Sequence, residues 1–176
     1  MDTATRLAIP IKLLLLDVDG VMTDGRITYS SDTQEQKSFH IHDGLGIKLL
    51  QKSGVQVGIV TGRSSPMVER RARELGIDIL LQGREDKCHA MRSIQHQLKL
   101  SITEIAYMGD DLPDLAAIRQ AGLGVAPANA VDIVREYADL ITTKQGGSGA
   151  VREACEFILQ SKGQLRDLHH TFMDID

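Results

Sequence analysis

The chain has 176 residues, enough to bury a hydrophobic core as one domain. Its 20 basic and 24 acidic side chains give a net charge of −4 without a basic run, which argues against a nucleic acid or an acidic membrane surface as partner. Cys88 and Cys155 lie far apart in segments of helical pattern, so we expect neither a disulfide framework nor a zinc site, and a cytoplasmic protein. The first apolar run, at 12–16, is too short to span a bilayer.

Short apolar runs alternate with segments of helical spacing along the chain. The runs are continuous, which is typical of strands buried on both faces, and they occur at 12–16, 55–60, 77–81, 104–108, 124–125 and 140–141. Between them apolar residues recur every three to four positions, in the sets Val68, Ala72 and Leu75, then Met91, Ile94 and Leu98, then Val151, Ala154 and Ile158. This order predicts an α/β fold, a Rossmannoid parallel sheet flanked by helices.

The stretch from residue 25 to 43 departs from this pattern. Apolar and polar residues alternate on either side of a polar turn at 30–33, the apolar ones being Ile27, Tyr29, Phe39 and Ile41. The alternation predicts a β-hairpin inserted after the first strand, too small to fold alone and therefore packed on its own domain or on another subunit. We expect one domain over 1–176 with a mobile polar tail at about 163–176.

Two aspartates, Asp17 and Asp19, follow the first predicted strand. In open parallel sheets, ligands bind at the carboxyl ends of the strands, where these aspartates lie. Two carboxylates so close together do not both stay ionised without a cation or a shared proton, and oxygen ligands of this kind select Mg²⁺. A polar turn after a strand explains this pair equally well when it is considered alone.

A second acidic cluster, at 109–114, follows the strand predicted at 104–108. Asp111 stands before Leu112 and Pro113 as a helix N-cap does. An N-cap does not account for three carboxylates within five residues after a buried strand. A metal site shared with the aspartates at 17 and 19 explains both clusters better.

Two further polar signals are weak by themselves. Thr61, Gly62 and Arg63 follow the second strand. A hydroxyl beside backbone N–H groups at a helix start can cradle a phosphate, although the tripeptide is more typical of a plain strand-to-helix turn. Lys87 follows the third strand, and a lone lysine is usually a solvated surface charge.

Taken together, these signals resemble the four motifs of the haloacid dehalogenase (HAD) superfamily in their order and positions. The segments 42–47, 59–63, 107–111 and 146–153 are similar to its 3-deoxy-D-manno-octulosonate 8-phosphate (KDO 8-phosphate) phosphatases, and the similarity extends over about residues 10 to 160. The resemblance implies a HAD-like fold with the small hairpin as its cap. It also implies hydrolysis of a phosphorylated sugar acid in lipopolysaccharide precursor synthesis.

The resemblance assigns catalytic roles to matching residues. It implies that Asp17 is the nucleophile and becomes a phospho-aspartate, and that Asp19 donates a proton to the leaving group and then accepts one from water. Thr61 and Lys87 would bind the phosphoryl oxygens and stabilise their negative charge.

The resemblance also implies how Mg²⁺ would be held. Its ligands would be Asp17, the backbone carbonyl of Asp19, and Asp110. Asp111 and Asp114 would lie behind these ligands and orient them together with the catalytic lysine.

Substrate contacts are implied for the end of the hairpin, the helix after it and the segment after Thr61. The residues are Asp19, His40, His42, Asp43, Gly44, Lys48, Arg63, Arg71 and Lys87, a set rich in the cations that bind a sugar carboxylate. Family members often carry Asn and Arg at the two histidine positions. Histidine there would make substrate affinity pH-sensitive near neutrality, and the alternative is that each simply ends a strand facing solvent.

The resemblance further implies a homotetramer whose hairpins assemble together. Two other functions remain open from the sequence. One is a phosphatase of a nine-carbon sugar acid 9-phosphate, such as an acylneuraminate or ketodeoxynonulosonate. The other is a non-catalytic receiver-like module that holds a phosphate, which Asp19 disfavours because a positioned general base shortens the life of a phospho-aspartate.

Overall fold

The computed structural model describes residues 2–28 and 35–173. Within them, one parallel sheet contains six strands: β1 Leu13–Leu16, β2 Gln56–Val60, β3 Ile79–Leu81, β4 Ile105–Met108, β5 Leu123–Ala126 and β6 Leu140–Ile141. Their spatial order is β3-β2-β1-β4-β5-β6, with every neighbouring pair parallel. The chain therefore winds outward from β1 in both directions, as in doubly wound folds. The predicted α/β sheet and all six strands are confirmed.

Eight helices connect and flank these strands in the described residues. They are α1 Thr3–Ala8, α2 Ile41–Lys52, α3 Pro66–Leu75, α4 Lys87–Leu98, α5 Leu112–Gln120, α6 Asp132–Tyr137, α7 Ala150–Ser161 and α8 Leu165–His170, with a 3₁₀ turn at Ile102–Glu104. None of these helices is long and apolar enough to cross a bilayer.

Two hydrophobic cores cover the two faces of the sheet. Along β1, Leu14 and Leu16 point into a core shared with α1, α2, α3 and α7, whereas Leu13 and Leu15 point into a core shared with α4, α5 and α6. All four leucines are fully buried. A strand covered on both faces needs apolar residues at every position, which is why β1 is a continuous apolar run.

Helix α3 illustrates how local signals set the boundaries. The side chain of Ser65 accepts a hydrogen bond from the backbone N–H of Met67, and Pro66 occupies the first turn. Gly76 ends the helix in the left-handed conformation, with φ of 67°. The residues predicted to face the core are buried: Val68, Ala72 and Leu75. Because α3 begins at Pro66, only residues 61–65 separate it from the end of β2, and this turn lies at the carboxyl edge of the sheet.

The predicted hairpin is only partly within the described residues. Tyr29 and the turn at 30–33 lie outside them, and the flanks at 25–28 and 35–40 form no strand. Ile41 was expected in the second strand, and this prediction is wrong because Ile41 begins α2 and is 78% exposed. Ile47 and Leu50, buried at helical spacing, bind this segment to the core as a helix.

The tail at about 163–176 was expected to be mobile, and this expectation is corrected for residues 163–173. Residues Leu165–His170 form α8, and Leu165 and Leu168 pack against the core. Two leucines one helical turn apart are enough to dock a short helix on an existing apolar surface. Residues 174–176 lie outside the described chain.

Candidate active site

A cleft of about 660 Å³ lies at the carboxyl edge of the sheet. Asp17 follows β1 directly, Thr61 follows β2, and Asp110 stands two residues after the end of β4. The cleft is lined by Asp17, Asp19, Gly25, Thr61, Gly62, Arg63, Glu85, Lys87, Asp110, Asp111, Pro113 and Asp114. The structure therefore brings together the four sequence signals that were predicted to meet.

The turn that carries the two aspartates is tightly folded. The carbonyl of Val18 accepts hydrogen bonds from the backbone N–H groups of Met22 and Thr23. Gly20 has a φ of 87°, and a Cβ there would lie 1.9 Å from Oδ2 of Asp110. Only glycine combines this conformation with so close an approach. The turn is thus packed directly against Asp110 of the second acidic cluster.

Below the cleft lies a buried network that we call the site floor: Asp17, Lys87, Tyr107 and Asp114. The ammonium of Lys87 lies 2.7 Å from Oδ2 of Asp17 and 2.8 Å from Oδ1 of Asp114. The hydroxyl of Tyr107 donates to the same Oδ1 at 2.8 Å. Lys87 is 5% exposed, and it is not a surface charge but the cation that joins two buried carboxylates.

Asp114 has no capacity left for a further ligand. Its Oδ1 accepts from Lys87 and Tyr107, and its Oδ2 accepts from the backbone N–H groups of Asp110 at 3.2 Å and Asp111 at 3.3 Å. Asp114 therefore orients the lysine and the loop that carries Asp110. Asp111 caps α5 by accepting from the N–H of Leu112, as its sequence position predicts.

Burial and mutual repulsion raise the pKa values of the acids that face the cleft. Burial, with the charge of Asp114, raises the pKa of Asp17 to about 6 although Lys87 opposes the shift. Burial and the neighbouring carboxylates raise the pKa of Asp110 to about 7. Burial also disfavours the charged form of Lys87, but Asp17 and Asp114 outweigh it and raise the pKa of the ammonium. The single positive charge of Lys87 does not neutralise the negative charges of Asp17, Asp110 and Asp114.

The carboxylates fit a hard divalent cation. Ligand oxygens of Asp17, Asp110 and Asp114 lie within 4.8 Å of one another. Because the oxygens of Asp114 are already hydrogen-bonded, Asp17 and Asp110 are the side chains that remain to bind an ion. All-oxygen ligands and a surplus of negative charge favour Mg²⁺ over softer metals.

Asp19 belongs to a second network, which we call the charge ring: Asp19, Glu35, Lys37 and Arg63. Lys37 binds Oδ1 of Asp19 at 2.5 Å, and Nε of Arg63 lies 3.9 Å from Oδ2. Glu35 completes the ring, 3.5 Å from Lys37 and 3.8 Å from Arg63.

Glu35 and Lys37 were not predicted from the sequence. One signal for Lys37 was available, because the alternating pattern places it on the same face as Phe39. A charged residue on an apolar face calls for a partner. Nothing in the sequence identified that partner as Asp19.

Of the predicted substrate contacts, Asp19, Arg63 and Lys87 lie at the cleft, and the others do not line it. His40 and His42 line a separate cavity of about 390 Å³ beside α7. The carboxylate of Asp43 is buried and accepts from the backbone N–H of Arg152, in the first turn of α7. Asp43 thus holds two helices together, and burial raises its pKa.

The remaining three residues also lie outside the cleft. A Cβ on Gly44 would lie 2.5 Å from a guanidinium nitrogen of Arg71, so Gly44 makes room for that side chain. Arg71 donates to the carbonyl of His40 and stacks over Phe39. Lys48 is exposed on α2. Contacts of these six residues with a substrate stay a prediction.

Comparison with known proteins identifies the family. Residues 80–154 match the haloacid dehalogenase-like hydrolases. The chain is 41% identical over 155 residues to the KDO 8-phosphate phosphatase of Escherichia coli K12, covering 88% of this chain and 82% of that protein. The Yersinia pestis enzyme is 42% identical over 164 residues, covering 93% and 88%. The chain belongs to the KDO 8-phosphate phosphatase family.

Solved structures of this family share the fold throughout. The KDO 8-phosphate phosphatase of Moraxella catarrhalis, in complex with a magnesium ion, phosphate and KDO, superposes with a TM-score of 0.96 at 46% identity, covering 98% of this chain and 99% of that one. The cobalt-bound family member from Haemophilus influenzae gives a TM-score of 0.90 at 37% identity, covering 96% and 99%. The predicted membership of the HAD superfamily is confirmed.

Proposed function

We propose that this protein is a Mg²⁺-dependent phosphatase that hydrolyses KDO 8-phosphate through a phospho-aspartate on Asp17. The observation that carries the proposal is the position of Asp17, buried at the end of β1 between the ammonium of Lys87 and the carboxylate of Asp110. The family relatives named for this substrate, and the Moraxella structure that contains magnesium, phosphate and KDO, support it.

In the first step, an oxygen of Asp17 forms a bond to phosphorus while the bond from phosphorus to the sugar oxygen breaks. The electron pair stays on the sugar oxygen, which takes a proton from Asp19. Lys87 holds Oδ2 of Asp17 at 2.7 Å and so fixes the plane of the nucleophile. Thr61 and Lys87 stabilise the charge on the transferring group.

In the second step, a water molecule gives a proton to Asp19 while the oxygen of that water attacks phosphorus. The bond between phosphorus and Asp17 breaks, which releases phosphate and restores the carboxylate. Asp19 is then protonated for the next cycle, as an acid that switches to a base must be. When bound, Mg²⁺ held by Asp17, Asp110 and the Asp19 carbonyl neutralises the phosphoryl oxygens.

The substrate class follows from the charges around the cleft. Arg63 at its rim provides a cation for a substrate carboxylate, and Lys87 inside it provides one for the phosphate. We propose that His40, His42, Lys48 and Arg71 act across a subunit boundary, because they do not line the cleft of their own chain. The buried Asp43 and Gly44 would hold this segment in place for those contacts.

We further propose a single-domain protein that forms a homotetramer in the cytoplasm. Ile27 and Ile41, on either side of the insertion, expose apolar side chains that association would cover. Cys88 and Cys155 are free thiols, which suits a reducing compartment. Light scattering of the purified protein tests the assembly, and a monomer at working concentration would contradict it.

The function is tested by phosphate release with Mg²⁺ across a panel of phosphorylated sugar acids. We expect the highest kcat/KM for KDO 8-phosphate and a loss on the order of 10⁴-fold or more in Asp17→Asn. Asp78→Asn is the matched control, because Asp78 is exposed just before β3 at the opposite edge of the sheet. Preference for a nine-carbon 9-phosphate would overturn the substrate, and full activity of Asp17→Asn would overturn the nucleophile.

A further inference from the structure

Lys37, in the described part of the insertion, reaches into the active site of its own chain. Its ammonium lies 2.5 Å from Oδ1 of Asp19, eighteen residues away in the sequence. The side chain of Lys37 is 7% exposed, whereas that of Asp19 is 29% exposed. A lysine this deeply buried cannot exchange its partner for water without a large cost, so this pair differs from a screened surface salt bridge.

The two oxygens of Asp19 have different surroundings. Oδ1 accepts a charge-assisted hydrogen bond from Lys37, while Oδ2 faces Nε of Arg63 at 3.9 Å, beyond hydrogen-bond distance. Glu35 holds both cations in place, 3.5 Å from Lys37 and 3.8 Å from Arg63. Oδ2 therefore remains available to exchange a proton, and Oδ1 does not.

We propose that Lys37 is a positioning residue for the proton transfer, which anchors Asp19 through Oδ1 and directs Oδ2 toward the leaving oxygen. The inference rests on the proposed function of Asp19. A proton moves from Oδ2 to the sugar oxygen as the bond between that oxygen and phosphorus breaks, and Lys37 itself gives up no proton. The insertion thus contributes to chemistry as well as to closure of the site.

Without Lys37, Asp19 has no anchor opposite Arg63. Its carboxylate is then free to rotate toward the guanidinium and to occupy both oxygens there, away from the leaving group. Misplacement of a catalytic group by about 1 Å costs on the order of 10²-fold in rate. The loss should fall on substrates whose leaving oxygen needs a proton, and it should spare those whose leaving group departs as a stable anion.

The experiment compares kcat/KM of Lys37→Met for two esters in the presence of Mg²⁺. KDO 8-phosphate has a poor alkoxide leaving group, and 4-nitrophenyl phosphate has a good one. The value of kcat/KM depends only on the steps up to release of the leaving group. Hydrolysis of the phospho-enzyme therefore does not affect it. We expect a loss of about 10- to 100-fold for the sugar ester and less than about 3-fold for the aryl ester.

Two further variants separate positioning from damage to the fold. In an Asp19→Asn background, Lys37→Met should cost less than about 2-fold for the sugar ester, because its effect passes through Asp19. Lys37→Arg keeps a charged donor and should recover most of the loss. Lys52→Met, at the exposed end of α2, is the matched control and should leave both esters and the melting temperature unchanged.

The outcomes are distinct. An equal loss on both esters, no loss on either, or a full further loss in the Asp19→Asn background would each overturn the role of Lys37. If the wild-type protein hydrolyses neither ester, the proposed function fails, and the role of Lys37, which rests on it, fails with it.

Discussion

The site floor and the charge ring are two networks of alternating charge that lie on either side of one turn. In the floor, the side chains of Asp17, Lys87 and Asp114 are each at most 7% exposed. In the ring, Lys37 is buried to the same degree, but Asp19, Glu35 and Arg63 are between 29% and 48% exposed. Solvent can compensate Asp19, Glu35 or Arg63 for a missing partner, whereas it cannot compensate the floor residues or Lys37.

This difference divides the work of the site. The floor fixes the nucleophile, and each member depends on the others to remain charged inside the protein. Tyr107 completes it as a hydrogen-bond donor, because burial and the charge of Asp114 raise its pKa well above the ordinary value. The ring instead orients a half-exposed acid. Damage to the floor should therefore lower stability and abolish activity, whereas replacing Lys37 or Glu35 in the ring should reduce the rate alone.

The largest expected effect comes from Lys87→Met. The change leaves Asp17 and Asp114 buried without their cation, and breaking a buried pair in this way costs about 3–5 kcal/mol of stability. Activity should fall below detection at the same time. Urea unfolding in EDTA measures the stability, with Lys52→Met as the control. A loss of stability within about 1 kcal/mol of that control would show that the floor is not a coupled unit.

The next effect concerns the carboxylates without a divalent cation. Folding raises the pKa of Asp17 to about 6 and that of Asp110 to about 7, from 3.8. Between pH 3.8 and 7 the folded state then binds more protons at these two groups than the unfolded state does. Their contribution to stability is therefore fully present below pH 3.8 and is lost as pH rises through 6 and 7. In EDTA, the melting temperature should decline by a few degrees over this range.

Asp110→Asn tests the origin of that decline. The variant should show a shallower decline in EDTA and should lose most of the rise in melting temperature that Mg²⁺ gives the wild type. Asp78→Asn should behave as the wild type in both conditions. A wild-type melting temperature that climbs between about pH 5 and 7 in EDTA would contradict the assigned sign.

The smallest effect is expected for Glu35→Gln in the ring. Its two ion pairs are long, and Glu35 itself is 31% exposed, so they contribute about 0–1 kcal/mol. We expect a loss of a few-fold in kcat/KM for the sugar ester, a loss that shrinks as salt is added, and unchanged urea unfolding. A 100-fold loss would mean that Glu35 contacts substrate and is not an outer member of the ring.

The position of the cleft was accessible from the sequence because buried parallel strands are continuous apolar runs and their carboxyl ends converge, whereas the part of Tyr107 in the floor was not predicted. Asp17, Thr61 and Asp110 could each be placed by counting from such a run. Lys37 could not be placed, since its contact with Asp19 depends on how residues without regular structure fold back across the sheet edge. Ile41 was wrongly assigned to a strand because the alternation of Phe39 and Ile41 is too short to distinguish the end of a strand from the start of a helix.

The proposed mechanism requires a covalent phospho-enzyme on Asp17, which can be trapped. The protein is mixed with Mg²⁺ and KDO 8-phosphate labelled with ³²P, then quenched in acid within one turnover. We predict an acid-stable, hydroxylamine-sensitive label on Asp17, absent from Asp17→Asn and present in the Asp78→Asn control. Rapid phosphate release without protein labelling, or a label on any other residue, would rule out Asp17 as the nucleophile.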